Sequence, residues 1–250
     1  MSGEEITKKK KPRMDKGNVQ ATKRDLHCVE WIAEQYGARF DQVQKLMGRF
    51  PNAEKPFKKD GVPGESTVKD TLGRWRRAGW IEYKRVLADG RGFAWVTKRG
   101  LELVGLDEIY TAKMPAATRL THIYAVNKIR FMMDGKEGVE WESERRYRSK
   151  LEMKKGKTLG AIPDGIIRGG GYGTIAIEVE ISPKKPAELF EKVVRLVRDY
   201  ELNLKGDYIP RYSSVWFYVP SPAMKTAVDA AISKLKPDEQ ERVATGVLSL

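Results

Sequence analysis

One cysteine and two histidines among 250 residues set the first limits on this chain. The lone Cys28 forbids an internal disulfide and fits a reducing compartment. With so few thiols and imidazoles, a structural zinc site lacks a ligand set. No run of eighteen apolar residues exists, so no segment is expected to span a membrane. The first residues hold no apolar signal segment, so the expected location is cytoplasmic. Acidic residues are also scarce: 34 Asp and Glu face 47 Lys and Arg, a formal charge of +13. That excess favours polyanions, either nucleic acid or an acidic membrane surface. No internal repeat is visible. Core material, by contrast, is plentiful. Hydrophobic residues make up 40%, with six Trp and ten Tyr, which argues against wholesale disorder.

Residues 1–20 form a polar head with Lys8, Lys9, Lys10, Lys11, Arg13 and Lys16. With no apolar period, this head reads as a disordered arm, either phosphate-seeking or merely solubilising. Asp25 to Ala38 has a helical stripe through Leu26, Val29, Ile32, Ala33 and Tyr36. Cys28 flanks it as a core residue, because no basic helper sits near it in sequence. A second short helix is expected over residues 40–50, then a Pro, Gly and Lys-rich loop to Gly64. A third helix, capped by Ser66 or Thr67, carries Val68, Leu72 and Trp75 on its inner face. Its outer face carries Asp70, Gly73, Arg74 and Arg77. Trp80 to Leu87 and Phe93 to Thr97 read as strands joined by a turn through Asp89 and Gly90. A short helix over residues 98–104 closes the unit.

Three helices followed by a two-stranded hairpin is the order of a winged helix-turn-helix, expected over residues 21–113. Its third helix would enter a major groove with Lys69, Arg74 and Arg77. Its wing would offer Lys84, Arg85 and Arg91 to phosphates. Residues 1–113 carry a net charge of +8 and residues 114–250 carry +5, so the excess leans modestly toward this head. The alternative is a protein-interaction domain whose charges are solvated.

After a linker around Met114, Pro115 and Ala116, residues 118–133 are amphipathic through Leu120, Ile123, Val126, Ile129 and Met133. Val139 to Arg148 alternates and reads as a strand, followed by a basic loop to Thr158. Then come two β-branched runs, Pro163-Asp164-Gly165-Ile166-Ile167 and Ile175 to Ile181, separated by a Gly-rich hairpin loop. Gly169, Gly170 and Gly171 in that loop lack the spacing of a phosphate-binding loop. Glu178 and Glu180 project from one face, while Ile177, Val179 and Ile181 project from the other. Carboxylates inside an apolar strand are costly unless something binds them. Three converging on one hairpin would suit a hard divalent cation, Mg²⁺ or Mn²⁺, set against a phosphodiester. A helix over residues 186–204, an apolar strand over 213–219, a helix over 222–235 and a last strand over 242–250 complete the pattern. An α/β layer fold with helices covering a mixed sheet follows.

That order matches the core of the PD-(D/E)xK nuclease superfamily. The matching residues are Pro163-Asp164 on the second strand and Glu178-Val179-Glu180 on the third, with Glu144 near the end of the first. Glu180 stands where lysine is usual, and Lys184 and Lys185 lie just beyond. The fuller resemblance is to the replication-relaxation family of mobile elements. It is carried by Leu120-Thr121-His122-Ile123-Tyr124-Ala125-Val126-Asn127 and Trp141-Glu142-Ser143-Glu144-Arg145. Ile162-Pro163-Asp164-Gly165 and Ile177-Glu178-Val179-Glu180-Ile181-Ser182 complete it, over roughly residues 25–220. The resemblance implies a winged helix fused to a PD-(D/E)xK-like three-layer α/β domain over residues 114–250. It also implies a plasmid, phage or conjugative-element protein acting in replication or DNA relaxation.

As a nuclease or nickase, the chain would use Glu144, Asp164 and Glu178 as metal ligands. Glu180 or Lys184 would activate water, and Arg145, Arg146 and Arg148 would hold flanking phosphates. The competing reading pairs Glu178 and Glu180 with those arginines in a non-catalytic DNA-binding replication or transcription factor. His122 is either a site residue or a satisfied helix histidine. The expected partner is double-stranded DNA, with replication or transfer proteins also possible and the oligomeric state, dimer included, left open.

Overall fold

A reciprocal cap starts the first helix. The Thr22 hydroxyl accepts from the Asp25 N–H at 3.2 Å, and the Thr22 N–H donates to the Asp25 carboxylate at 2.8 Å. The computed structural model describes residues 19–49, 61–86, 90–155, 161–198, 201–204 and 207–250. The basic positions expected in the N-terminal arm and the hairpin tip at Ala88 and Asp89 lie outside the described residues.

The first half builds α1 (Lys23–Glu34), β1 (Ala38–Arg39), α2 (Phe40–Arg49), α3 (Glu65–Arg77), β2 (Ile81–Arg85), β3 (Gly92–Val96) and α4 (Lys98–Leu103). The stripe residues Val68, Leu72 and Trp75 are buried, as their helical spacing requires. They pack with Val29 and Ile32 of α1 and Leu46 and Met47 of α2. α3 starts earlier than its sequence suggests. Gly64 occupies the cap with no side-chain bond, and Glu65, not Ser66 or Thr67, opens the first turn. A carboxylate there favours the positive end of the helix dipole. β1 is only two residues long and pairs with β3, which turns the expected hairpin into an antiparallel three-stranded sheet of order β1-β3-β2.

The second half builds α5 (Leu120–Met133), β4 (Val139–Ser143), α6 (Glu144–Lys155), β5 (Gly165–Gly169), β6 (Thr174–Val179) and α7 (Pro186–Arg198). It continues with β7 (Glu201–Leu204), β8 (Asp207–Pro210), β9 (Ser214–Val219), α8 (Pro222–Ile232), α9 (Pro237–Gln240) and β10 (Val243–Val247). The main sheet runs β10-β9-β6-β5-β4. β4, β5 and β6 are antiparallel neighbours, while β9 and β10 run parallel to β6. Ile177 and Val179 pack with Ala125 and Ile129 of α5 on one face. Ala176, Val215 and Phe217 pack with α7 and α8 on the other.

Three expectations are corrected. The strand read over residues 139–148 stops at Ser143, whose hydroxyl accepts from the Arg146 N–H at 3.1 Å and so caps α6. Glu144 therefore begins a helix rather than ending a strand. The helix read over residues 186–204 falls short of its expected end, because Glu201–Leu204 is a strand that pairs with Asp207–Pro210 in a hairpin; α7 is described as far as Arg198. α5 is not simply amphipathic. Its expected stripe is buried, but so are Ala125, Asn127, Arg130 and Phe131. The reason is that both halves clamp it. Phe131 stacks on Trp31 at 4.8 Å, and Leu120 and Ile123 join Phe93 and Trp95. Asn127 donates to Gly37 O at 2.9 Å, and Gln42 donates to Tyr124 O at 2.8 Å. Among the described residues, no helix is long and apolar enough to cross a membrane.

Candidate functional site

Asp164 lies one residue before β5, and the strand register decides what it meets. Gly165 pairs with Ile177 and Ile166 with Ala176. One step further, Asp164 stands opposite Glu178, close enough for the two side chains to interact. Gly165 makes room for Trp141 of the neighbouring strand β4. A Cβ there would come within 2.2 Å of the Trp141 ring, which packs directly over the backbone. The far end of the hairpin turns through Gly169, Gly170, Gly171 and Gly173, all at φ between 60° and 79°, a region L side chains disfavour.

Both oxygens of Asp164 are held. One meets His122 Nε2 of α5 at 2.8 Å, and the other accepts from the Val179 N–H at 2.8 Å. Burial alone would lower the His122 pKa, but the hydrogen bond and charge of Asp164, with Glu178 behind, raise it. Glu178 is buried at the centre. Burial first, then the Asp164 charge, push its carboxyl up to about 8, despite its ion pair with Lys192. The Lys192 Nζ also reaches Glu180 at 2.9 Å, and Lys184 reaches Glu180 at 3.2 Å. Shared by two carboxylates, Lys192 has its pKa raised, even though burial opposes its charge.

Lys192 is the residue that the sequence reading missed, and a signal for it existed. Leu189, Lys192, Val193 and Leu196 fall on one helical face, so the lysine stands within a buried stripe. A lysine in such a stripe needs a buried partner.

The raised Glu178 carboxyl has a consequence for stability. A carboxyl whose folded pKa exceeds its unfolded value binds extra protons when folded, so stability falls as pH rises between the two. The window runs from about 4.3 in the unfolded chain to about 8 in the folded one. Glu178→Gln is expected to raise the melting temperature by several degrees at pH 8 and by much less at pH 5, measured by thermal unfolding. An equal effect at both pH values would rule out this cause.

Glu144 does not join the group. Its carboxylate accepts from Arg119 at 3.0 Å and from Arg148 at 2.8 Å. It lines a small recess together with His122 and Asp164. Among the described residues, no three His, Cys, Asp or Glu side chains gather closely enough to hold a metal ion. Asp164 and Glu178 are brought together; Glu144 is brought near Asp164 and His122 but faces arginines. The other arginines are committed as well. Arg145 donates to Ala33 O and Thr111 O, both at 2.6 Å, and Arg146 pairs with Glu34. Lysines, not these arginines, therefore neutralise Glu178 and Glu180.

On the first half, Arg74 leaves the expected reading face. Its guanidinium grips buried Asp25 at 2.6 and 2.9 Å, and the Trp75 indole donates to the same carboxylate at 2.8 Å. Arg76 and Arg77 are exposed, as are Lys69, Lys84, Arg85 and Arg91. Lys69, Arg85 and Arg91 line one open groove of about 390 Å³ with Tyr83, although Asp41 and Glu65 share it. Arg91 is 3.9 Å from Asp41, and Lys69 pairs with Glu65 at 3.0 Å.

Compared with protein families, with curated proteins and with solved structures, the chain matches none.

Proposed function

We propose that the chain is a DNA-binding protein with a metal-dependent endonuclease or nickase site. Residues 21–113 act as a winged helix and residues 114–250 as a PD-(D/E)xK-like domain of plasmid, phage or conjugative-element type. The observation that carries this reading is the placement of Asp164 opposite Glu178, with the Lys192 ammonium on Glu178 and Glu180. Supporting it are the element order, with an antiparallel β4-β5-β6 run and a parallel β9, and the net charge of +13.

The donor set fits Mg²⁺ or Mn²⁺ in a limited way. Mg²⁺ commonly takes only one or two carboxylates and keeps several waters. Two adjacent carboxylates, one with its pKa raised by burial and by its neighbour, suit a hard cation. Asp164 and Glu178 would hold it, and Glu144 would not. When bound, the ion supplies Lewis-acid polarisation of a phosphodiester. His122 fixes the rotamer of Asp164. Lys192 positions Glu178 and Glu180 and offers a positive charge to a non-bridging oxygen. Glu180, held by Lys192 and Lys184, would take a proton from an attacking water.

The test is supercoiled plasmid incubated with the protein and Mg²⁺ or Mn²⁺, where open-circular product is expected and EDTA should suppress it. A second reading is favoured by a specific observation: His122, Lys192, and Arg119 with Arg148 already face the carboxylates. In that reading the network is structural and the protein binds DNA without cutting it. Intact plasmid, together with a melting temperature unmoved by either ion, would favour it.

Duplex binding has its own test. Replacing Arg76 and Arg77 together with Ala is expected to weaken binding by roughly 1–3 kcal/mol and to flatten the salt dependence, because each phosphate contact releases counterions. A salt titration that superimposes on wild type would move the binding face elsewhere.

A further inference from the structure

Between the two halves lies a cleft of about 380 Å³, within the size range of small-ligand pockets, roughly 300–1,000 Å³. Its walls come from the turn after α1, the 109–116 segment, the start of α5, and α6. Four cations line it, Lys113, Arg119, Arg145 and Arg148, and no acidic side chain is among its described lining residues. The remaining wall is mainly aromatic and apolar, with Thr111 and Ser149 as its other polar members. Tyr36 and Tyr110 flank the Arg145 guanidinium at 5.1 and 4.3 Å from their ring centres. Ile109 and Met114 stay exposed at its mouth.

Two further features mark the cleft. Tyr36 is the only non-glycine residue among those described with a positive φ, 62°, and a left-handed backbone is costly for a residue with a Cβ. The cleft also shares Tyr36, Arg119 and Ile123 with the recess that holds His122, Glu144 and Asp164. An anion in one is therefore a neighbour of the carboxylates in the other.

We infer that this cleft binds one unpaired nucleotide of a DNA strand, with its phosphate on Arg119, Arg148 and Lys113 and its base against Tyr36 and the apolar mouth. Arg119 and Arg148 each give one N–H to Glu144, at 3.0 and 2.8 Å. A guanidinium has five such donors, so both keep N–H groups for a phosphate, and an aromatic wall accepts any base by stacking. A cleft of this size admits one nucleotide and excludes a duplex. The strand would then lead past Arg119 toward Asp164. The inference rests on the phosphodiester reading of that recess, but its readout does not need cleavage.

The probe is a 5′-phosphorylated single-stranded tetranucleotide carrying one 2-aminopurine, titrated with the full chain in EDTA. Stacking should quench the fluorescence as the complex forms. The Lys113→Glu/Arg119→Glu double variant is expected to lose roughly tenfold or more in affinity. Lys234→Glu/Lys236→Glu, an equal charge change at residues that do not line the cleft, should stay within roughly twofold if the loss is local rather than from net charge. Met114→Glu, at the exposed mouth, should also weaken the complex and serves if the double variant melts early. No binding by wild type, or equal affinity in all variants, overturns the cleft. A protein that holds the oligonucleotide there but never nicks plasmid overturns the nuclease reading and leaves the cleft standing. Nicking without oligonucleotide binding does the reverse.

Discussion

Asp164→Asn is expected to lower plasmid nicking by about 100-fold or more while leaving duplex affinity nearly unchanged. The substitution keeps the size of the side chain but removes the charge that faces Glu178. It also weakens the contact with His122, whose raised pKa comes from the Asp164 hydrogen bond and charge overcoming its burial. Divalent cations should raise the melting temperature of wild type by binding the folded state alone. Asp164→Asn should remove most of that rise. Lys192→Met provides a separate measure, because it leaves both proposed ligands in place. It should reduce nicking but keep at least part of the cation-dependent stabilisation. If Asp164→Asn cuts as well as wild type, these carboxylates are not the reacting site. If neither protein cuts nor responds to cation, the structural network around Lys192 is the better account.

The other large effect concerns Asp25. Its carboxylate is fully buried and joins the cap of α1 to Arg74 and Trp75 of α3. Burial alone would raise its pKa, but donors from Arg74, Thr22 and Trp75 outweigh that and hold it below the usual carboxylate range. Removing one partner of such a buried pair leaves the other uncompensated. Asp25→Ala is therefore expected to cost about 3–5 kcal/mol in urea unfolding. A depressed carboxyl contributes stability above its unfolded pKa and loses it as pH falls through the folded value. The gap between wild type and Asp25→Asn should hold from pH 8 down to about 5 and shrink below about 3.9. A loss under about 1 kcal/mol would mean that α1 and α3 are held by apolar packing alone.

Arg74→Ala belongs to the same network. Any loss of DNA affinity in that variant would arise from a disturbed α3, not from a lost phosphate contact. For this reason the exposed Arg76 and Arg77 are the informative pair.

Much of this molecule was legible in the order of its residues. The Val68, Leu72, Trp75 stripe, the Gly-turned hairpins, and the split between Glu178 and Ile177 depend on neighbours within a few positions. Periodicity and turn chemistry are local properties, so a single chain displays them. The closeness of Asp164 and Glu178 was nearly as plain, because a short hairpin joins them. Other features are decided between distant segments. Ser143 ends β4 because its hydroxyl caps α6, a choice that the alternating run on either side conceals. β1 forms only because β3 offers a free edge. Arg74 is drawn from solvent by Asp25, 49 positions away. Lys192 is half-buried because two carboxylates, Glu178 on β6 and Glu180 just after it, make the partial loss of water tolerable. Glu144 turns from Asp164 toward Arg119 and Arg148 for the same reason of charge. The cleft lined by Lys113, Arg119 and Arg148 exists only where α5 and α6 meet the turn at Tyr36. A buried charge takes its partner from whatever the packing brings near, and only the tertiary structure settles which residue that is.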